Sequence, residues 1–234
     1  MNRSFLVPTA VLRGVVFDLD DTLYPERQFV IGGIREAARR VLPGIADAST
    51  TFETVLREGH CSRIFDEGLK RLGRPPTPAL VSALVAAYRG HRPRLRPFRG
   101  VFEMLRALRS QGLRLGLLTQ GQPEVQWRKI EALRIASLFD QIEVADLSRG
   151  EGKPHPAPYR RMEEGLGVQG GKVVMVGDCP TRDFPAAEHL GWWTVRLRLR
   201  GTFHRDAEDP SPGRPEARSI RTLCRILLRW SAVP

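Results

Sequence analysis

Read as a pattern of apolar and polar positions, the chain falls into stretches of different period. Val11 to Phe17 is short, apolar and rich in Val, and reads as a buried strand. From Gln28 to about Tyr88 the apolar positions recur at helical spacing, in IREAARRVL, FETVLREGHCSRIFDEGLKRLG and PALVSALVAAYRG, punctuated by Pro43-Gly44 and Pro75-Pro76. This reads as an inserted all-helical unit, and HRPRLRPFRG, with Pro93 and Pro97, as its exit linker. After the linker the period alternates. VFEMLRALRSQG predicts an amphipathic helix closed by Gly112, and LRLGLLTQG a strand. PEVQWRKIEALRI predicts a helix, FDQIEVA a strand and PAPYRRMEEGLGV a helix. KVVMVGD predicts a buried strand, DFPAAEHLG a short helix and WWTVRLRL a strand. Gly201 to Pro215 reads as a loop, and IRTLCRILLRW as a last helix packed back on the body. Strands alternating with helices imply parallel strands joined by crossover helices, hence an α/β layered sheet.

Composition narrows the class without fixing it. The chain has 234 residues, 41% hydrophobic and 27% charged, an ordinary globular balance with room for one or two domains. No run approaches the roughly 18 apolar residues of a membrane-spanning helix. The opening MNRSFLVPTAVLRGVVFDLDD runs from a short apolar stretch into acidic residues without a small-residue cleavage site. No signal peptide is therefore read, and a cytoplasmic location is expected. Cys61, Cys179 and Cys224 stand far apart with no C-x-x-C pair, against a disulfide framework or zinc knuckle and in keeping with a reducing compartment. The net charge is +11, carried mostly by Arg, which can attract anionic ligands, nucleic acid or a membrane surface. The arginines are scattered and no five consecutive residues are all basic, so no nucleic-acid tract is evident. A general preference for Arg codons is the plainer reading.

Chemistry enters at the strand ends. The first strand stops at Asp18, LRLGLLT stops at Thr119, and KVVMVG is followed by Asp178. Asp183 lies five residues on, and Lys153 sits in the loop RGEGKPHP. Ligands of layered α/β sheets bind beyond the carboxyl ends of the strands, so these residues can share one crevice. VVFDLDDTLYPE also sets Asp18, Asp20 and Asp21 within four positions. Two like charges about 4 Å apart repel by about 4 kcal/mol at an effective dielectric of about 20. Such crowding demands either proton uptake or a cation. A hard divalent cation with oxygen ligands meets the demand, and Mg²⁺ is the usual one where phosphate is bound as well.

These segments resemble a known family. FDLDDTL resembles the D-x-D-x-T motif that opens the haloacid dehalogenase-like hydrolases. LLTQG resembles their second motif, a strand ending in Thr or Ser, and KPHPAPY the third, Lys-Pro before a helix. VGDCPTRDFPAAEHLG resembles the fourth, G-D-x-x-x-x-D before a small-residue helix, and the four stand in the family's order across nearly the whole chain. The resemblance implies a Rossmann-like three-layer core with a parallel sheet over residues 1–24 and 96–234, and an inserted all-helical cap over 25–95. It also implies a Mg²⁺-dependent phosphatase that hydrolyses a small phosphorylated metabolite, such as a nucleoside monophosphate or sugar phosphate, through an aspartyl-phosphate. Asp18 would be the nucleophile and Asp20 the general acid/base. Thr119 would hydrogen-bond the phosphoryl group, and Lys153 would neutralise its charge and orient Asp18. Asp18, the backbone carbonyl of Asp20 and Asp178 would hold Mg²⁺, with Asp183 bound directly or through water. Dehalogenases and phosphonate-cleaving members lack an acid two residues after the nucleophile, so Asp20 points to phosphate esters. Thr22, where the family's hexose-phosphate mutases often carry Val, points to hydrolysis. The chain departs from the pattern at Gln120, where Asn is common, and at Cys179-Pro180 inside the fourth motif.

The remaining polar and aromatic residues read as structural. Asp21 is expected in a turn, and Arg27, His60 and Arg63 in solvated or packing positions of the helical insert, with substrate selection as their alternative role. His91 and His155 flank prolines with no visible partner, Trp192-Trp193 reads as core or crevice wall, and Cys179 as packing. A non-catalytic regulatory or partner-binding protein on the same scaffold is the rival function, disfavoured by the complete set of candidate catalytic residues.

Overall fold

The computed structural model describes residues 10–59 and 61–232. Residues 1–9, where a leader would lie, His60 and residues 233–234 fall outside this range. Six strands form one sheet: β1 (Gly14–Phe17), β2 (Arg114–Gly121), β3 (Gln141–Asp146), β4 (Val173–Gly177), β5 (Trp193–Leu197) and β6 (Glu216–Ala217). Their order is β3-β2-β1-β4-β5-β6, and every pairing is parallel. β1 and β4 are buried along their full length, as expected of strands covered on both faces by crossover helices. Phe17 stands opposite Leu117 on one side and Val176 on the other. β1 and β4 therefore end within one residue of each other, while β2 runs on past Thr119 to Gly121.

β1 starts at Gly14, later than the apolar run. Arg13 still bonds to both neighbouring strands' edges, donating to the Lys172 carbonyl at 2.8 Å and accepting from Arg114 N at 2.9 Å, but Leu12 turns away to the Trp230 carbonyl at 3.2 Å. β6 follows the polar loop, in residues where no element was expected. Arg196 and Arg198 of the β5 edge donate backbone N–H groups to Pro215 at 2.9 Å and Ala217 at 2.8 Å. The buried Arg196 guanidinium also donates to the carbonyls of His204 and Ala207. The loop is held by side-chain to backbone bonds, which hydrophobic period does not report.

One compact unit comprises Arg27–Leu95 and the other the rest of the chain. The first is all helical: α1 (Glu26–Val41), which begins one residue earlier, α2 (Ala48–Arg57), α3 (Ile64–Arg71) and α4 (Pro78–Gly90). It has its own core, including Ile34, Phe52, Leu69 and Leu84, each side chain contributing about 1.5–3 kcal/mol on burial. The Phe52 and Phe65 rings meet edge-on with centroids 5.2 Å apart, and Phe52 occupies the space a Cβ on Gly68 would need. His91 is not partnerless, as its sequence context suggested. It is buried, its ring lies 4.5 Å from that of Phe29, and its Nδ1 is 2.6 Å from the Tyr88 carbonyl.

The second unit carries α5 (Val101–Ser110), α6 (Pro123–Leu133), α7 (Pro156–Leu166), α8 (Pro180–Asp183), α9 (Pro185–His189) and α10 (Ile220–Ser231). Each of α6 to α9 opens on Pro, whose missing N–H costs nothing at a first helical position. His155 caps α7, its side chain accepting from Ala157 N. α7 and α9 close one face of the sheet over Val16, Leu118, Met175, Tyr159, Met162 and Phe184. On the other side α5 packs against β2 and α10. Trp192 belongs to the core, its indole N–H bonded to Glu163 at 2.8 Å, and the Trp193 ring leans on Trp230. The fold is the three-layer parallel α/β architecture expected from the alternation.

Candidate active site

Three strand ends deliver the polar groups. Asp18 follows β1 and its N–H bonds the Val176 carbonyl of β4 at 2.9 Å. Asp178 follows β4, and Thr119 lies near the end of β2. Asp183 arrives from α8, where its Oδ2 accepts from Cys179 N at 2.9 Å. Gly177 makes that approach possible, since a Cβ there would collide with the Asp183 carboxylate. Lys153 reaches in from the loop before α7. Its Nζ donates to Asp18 at 2.5 Å, to Asp183 at 2.6 Å and to the Leu118 carbonyl at 3.3 Å. All five side chains are buried.

Burial dominates the electrostatics. It pushes Asp18 up to about 7, with Lys153 opposing it and the Asp183 and Asp20 charges adding to it. Asp178 goes up to about 10 through burial and the charges of Asp183 and Asp18. Burial alone would lower Lys153, but Asp18 and Asp183 outweigh it and keep the ammonium charged. The carboxylates fit a hard divalent cation. Asp18, Asp178 and Asp183 each offer an oxygen within 4.8 Å of the others, the donor set is oxygen throughout, and Asp178 Oδ2 is buried with no hydrogen-bond partner among the described residues. That orphaned acceptor is what a metal ligand looks like before the metal binds.

The Asp20 side chain takes no part in that cluster. Its two oxygens both accept from Lys129 Nζ at 2.8 Å, and Oδ2 accepts from Gln126 Nε2 at 3.1 Å. The Tyr24 hydroxyl donates to Oδ1 in a short bond. Burial works against the Asp20 charge, but Lys129 and these donors hold its carboxyl below the usual range. Gln126 also donates to the Thr119 hydroxyl. Lys129 and Gln126 were missed in sequence, although a signal existed. The residues α6 buries are Gln126, Lys129, Ile130 and Leu133, an i, i+3, i+4, i+7 stripe whose first two places are polar.

The other residues singled out fall around this centre. Asp21 adopts a left-handed conformation (φ 56°) and ties two backbone N–H groups, Glu26 at 2.8 Å and Phe203 at 2.7 Å. It is a turn residue. Gln120 Oε1 and Thr22 Oγ1 are buried without hydrogen-bond partners among the described residues. Cys179 is buried, with Arg182 Nε donating to its sulfur at 3.1 Å. Arg27 and Arg63 belong to the helical unit, where Arg63 is exposed and pairs with Glu67 at 3.5 Å.

Three carboxylates and one lysine gather beyond the ends of neighbouring parallel strands of an α/β sheet, with an all-oxygen donor set that suits a cation. The sequence profile of the haloacid dehalogenase-like hydrolases matches residues 12–191, and the chain belongs to that family. It is 32% identical over 203 residues to the glyceraldehyde 3-phosphate phosphatase of Methanopyrus kandleri, covering 82% of this chain and 86% of that one. With the enzyme of the same name from Methanocaldococcus jannaschii it shares 28% identity, covering 93% and 97%. Among solved structures, the magnesium-bound HAD-hydrolase YfnB of Bacillus subtilis superposes with a TM-score of 0.69 at 19% identity, covering 93% of this chain and 99% of that one. At that identity the likeness speaks for the fold.

Proposed function

We propose that the protein is a Mg²⁺-dependent phosphatase that hydrolyses a small sugar phosphate, of triose size, through an aspartyl-phosphate on Asp18. The observation that carries this reading is the separation of two carboxylate environments. Asp18 lies in a cluster of three buried carboxylates, while Asp20 is held outside it by Lys129. One group suits nucleophilic attack and the other proton transfer. Two relatives named glyceraldehyde 3-phosphate phosphatase support the substrate size.

In this reading Asp18, Asp178 and the Asp20 carbonyl, with Asp183 directly or through water, would hold Mg²⁺, which would supply positive charge to offset the carboxylates and the phosphoryl oxygens. Asp18 attacks phosphorus. Lys153 holds that carboxylate in place and adds positive charge beside the phosphoryl group, the kind of fixed electrostatics on which phosphoryl transfer depends. The Thr119 hydroxyl, fixed by Gln126, is free to donate to a phosphoryl oxygen. Asp20 rests ionised, so the proton it passes to the leaving oxygen is one it takes up with the substrate. It then takes a proton from the water that cleaves the acyl phosphate. The helical unit, whose connections both fall in the crossover after β1, serves as a cap that excludes water.

A panel of phosphate monoesters, assayed by phosphate release in Mg²⁺, tests the reading. Triose phosphates are expected to lead, ahead of nucleoside monophosphates. Release from no member, or equal release by wild type and Asp18→Asn, would overturn it.

A further inference from the structure

Lys129 is a buried lysine that the chemistry above does not use directly. A buried ammonium is costly unless paired, and a helix crossing a sheet needs no charge at its packed stripe. Yet α6 places Lys129 there, three residues from Gln126 and so on the same face. Lys129 spans both oxygens of Asp20 at 2.8 Å, which fixes the plane of the carboxylate as well as its position. Gln126 uses one amide nitrogen for two acceptors, Asp20 and Thr119. Tyr24, joined to Asp20 by a backbone bridge as well, closes the frame from the other side.

We infer that Lys129 and Gln126 are positioning residues, which lock the Asp20 carboxylate and the Thr119 hydroxyl into one rigid frame at the point where the leaving oxygen departs. The inference rests on the reading of Asp20 as acid/base. It names residues that act through Asp20 rather than on the substrate. An ion pair that merely braced α6 would make a different prediction, because its loss would lower all activities alike.

The test is a double-mutant cycle with two leaving groups, p-nitrophenyl phosphate and β-glycerol phosphate, in saturating Mg²⁺. General acid/base help is typically worth about 10²–10⁴-fold, and the need for it grows as the leaving group becomes more basic. Lys129→Met is expected to lower kcat/KM, which reads the step that expels the leaving group, on the alkyl ester by about tenfold or more and on the aryl ester by less than about threefold, a share of that contribution. Hydrolysis of the shared aspartyl-phosphate, which limits kcat, should slow alike from both esters. In an Asp20→Asn background, where there is no carboxylate to hold, Lys129→Met should have no further effect on aryl turnover, the non-additivity of groups that act as a unit. The double variant also removes both buried charges together, so it keeps the cycle readable if Lys129→Met alone is unstable. Gln126→Leu strands no charge and is expected to lower kcat/KM for both esters through Thr119, and for the alkyl ester further, in the same selective way.

Equal losses of kcat/KM on the two esters, or the same loss in both backgrounds, would overturn the inference while leaving the phosphatase reading in place. If kcat/KM of Asp20→Asn itself showed no dependence on the leaving group, the acid/base reading would fall and the inference with it.

Discussion

Lys153 and Asp18 lie 135 positions apart, and their side chains meet at 2.5 Å. The same ammonium serves Asp183 at 2.6 Å. With Asp178 there are three carboxylates around one lysine, so full ionisation leaves two negative charges uncompensated. A divalent cation cancels that remainder. Lys153→Met keeps the length of the side chain and removes its charge. Removing one partner of a buried ion pair costs about 3–5 kcal/mol, so urea unfolding in chelator should show a loss of that order. Added Mg²⁺ should recover part of it. Unchanged stability in chelator would mean that the lysine does not compensate the cluster.

Metal removal should abolish turnover. Phosphatase activity on an aryl phosphate should vanish in EDTA and return with Mg²⁺. Ca²⁺ should inhibit, since its larger and looser coordination shell displaces the nucleophile. By mass action, a ligand at about 100 times its Kd stabilises by about 2.7 kcal/mol, so saturating Mg²⁺ should raise Tm. Full activity in chelator would remove the cation from the reading.

Proton release should accompany Mg²⁺ binding. Burial and neighbouring carboxylates push Asp178 up to about 10, and burial foremost pushes Asp18 up to about 7. At pH 7 the metal-free site therefore holds protons that the cation must displace, and affinity should rise with pH. Stability of the metal-free protein moves the opposite way. Both folded values exceed the unfolded one near 3.8, so this contribution is full below that pH and is lost as pH rises through about 7 and about 10. Mg²⁺ should flatten the profile. Calorimetric titration in two buffers of different ionisation enthalpy reads the protons directly; identical heats would refute their release.

The two leading carboxylates should separate kinetically. Asp18→Asn removes the nucleophile at nearly constant shape. Enzymes accelerate phosphate monoester hydrolysis by up to about 10²¹, so no turnover should be detectable. Asp20→Asn keeps the nucleophile. Nitrophenolate needs little protonation, so a burst of nitrophenol followed by a slow steady state is expected. Wild-type turnover of an alkyl phosphate by Asp20→Asn would contradict its assigned role.

Much of this architecture is legible in the sequence because two signals are strong. The buried strands GVVF and VVMVG are apolar throughout, as parallel strands covered on both faces must be. That Asp18, Asp178 and Asp183 can share one crevice follows from the rule that ligands gather beyond the carboxyl ends of parallel strands, whereas the strand order comes only from the structure. Other parts were hidden for identifiable reasons. β6 is two residues long, below the reach of any period, and is pinned by neighbouring backbone and buried arginine contacts. Lys129 looks like one more surface charge until α6 is seen to turn it inward. Its partner lies 109 positions earlier, and no local pattern encodes a pairing at that range.

The place of β1 has a bearing on how the protein is made. This strand pairs with β2 on one side and with β4 on the other, so the loop bearing Asp18 has no complete seat until Gly177 has been synthesised. The helical unit, with a core of its own, has all its partners far sooner, and domains generally fold as units as they emerge. Asp18 is thus translated before the helical unit and is seated after it. On the ribosome, chains stalled before β4 should resist protease over the helical unit and stay cleavable around Asp18. Such chains would be unable to hydrolyse phosphate esters until the sheet closes.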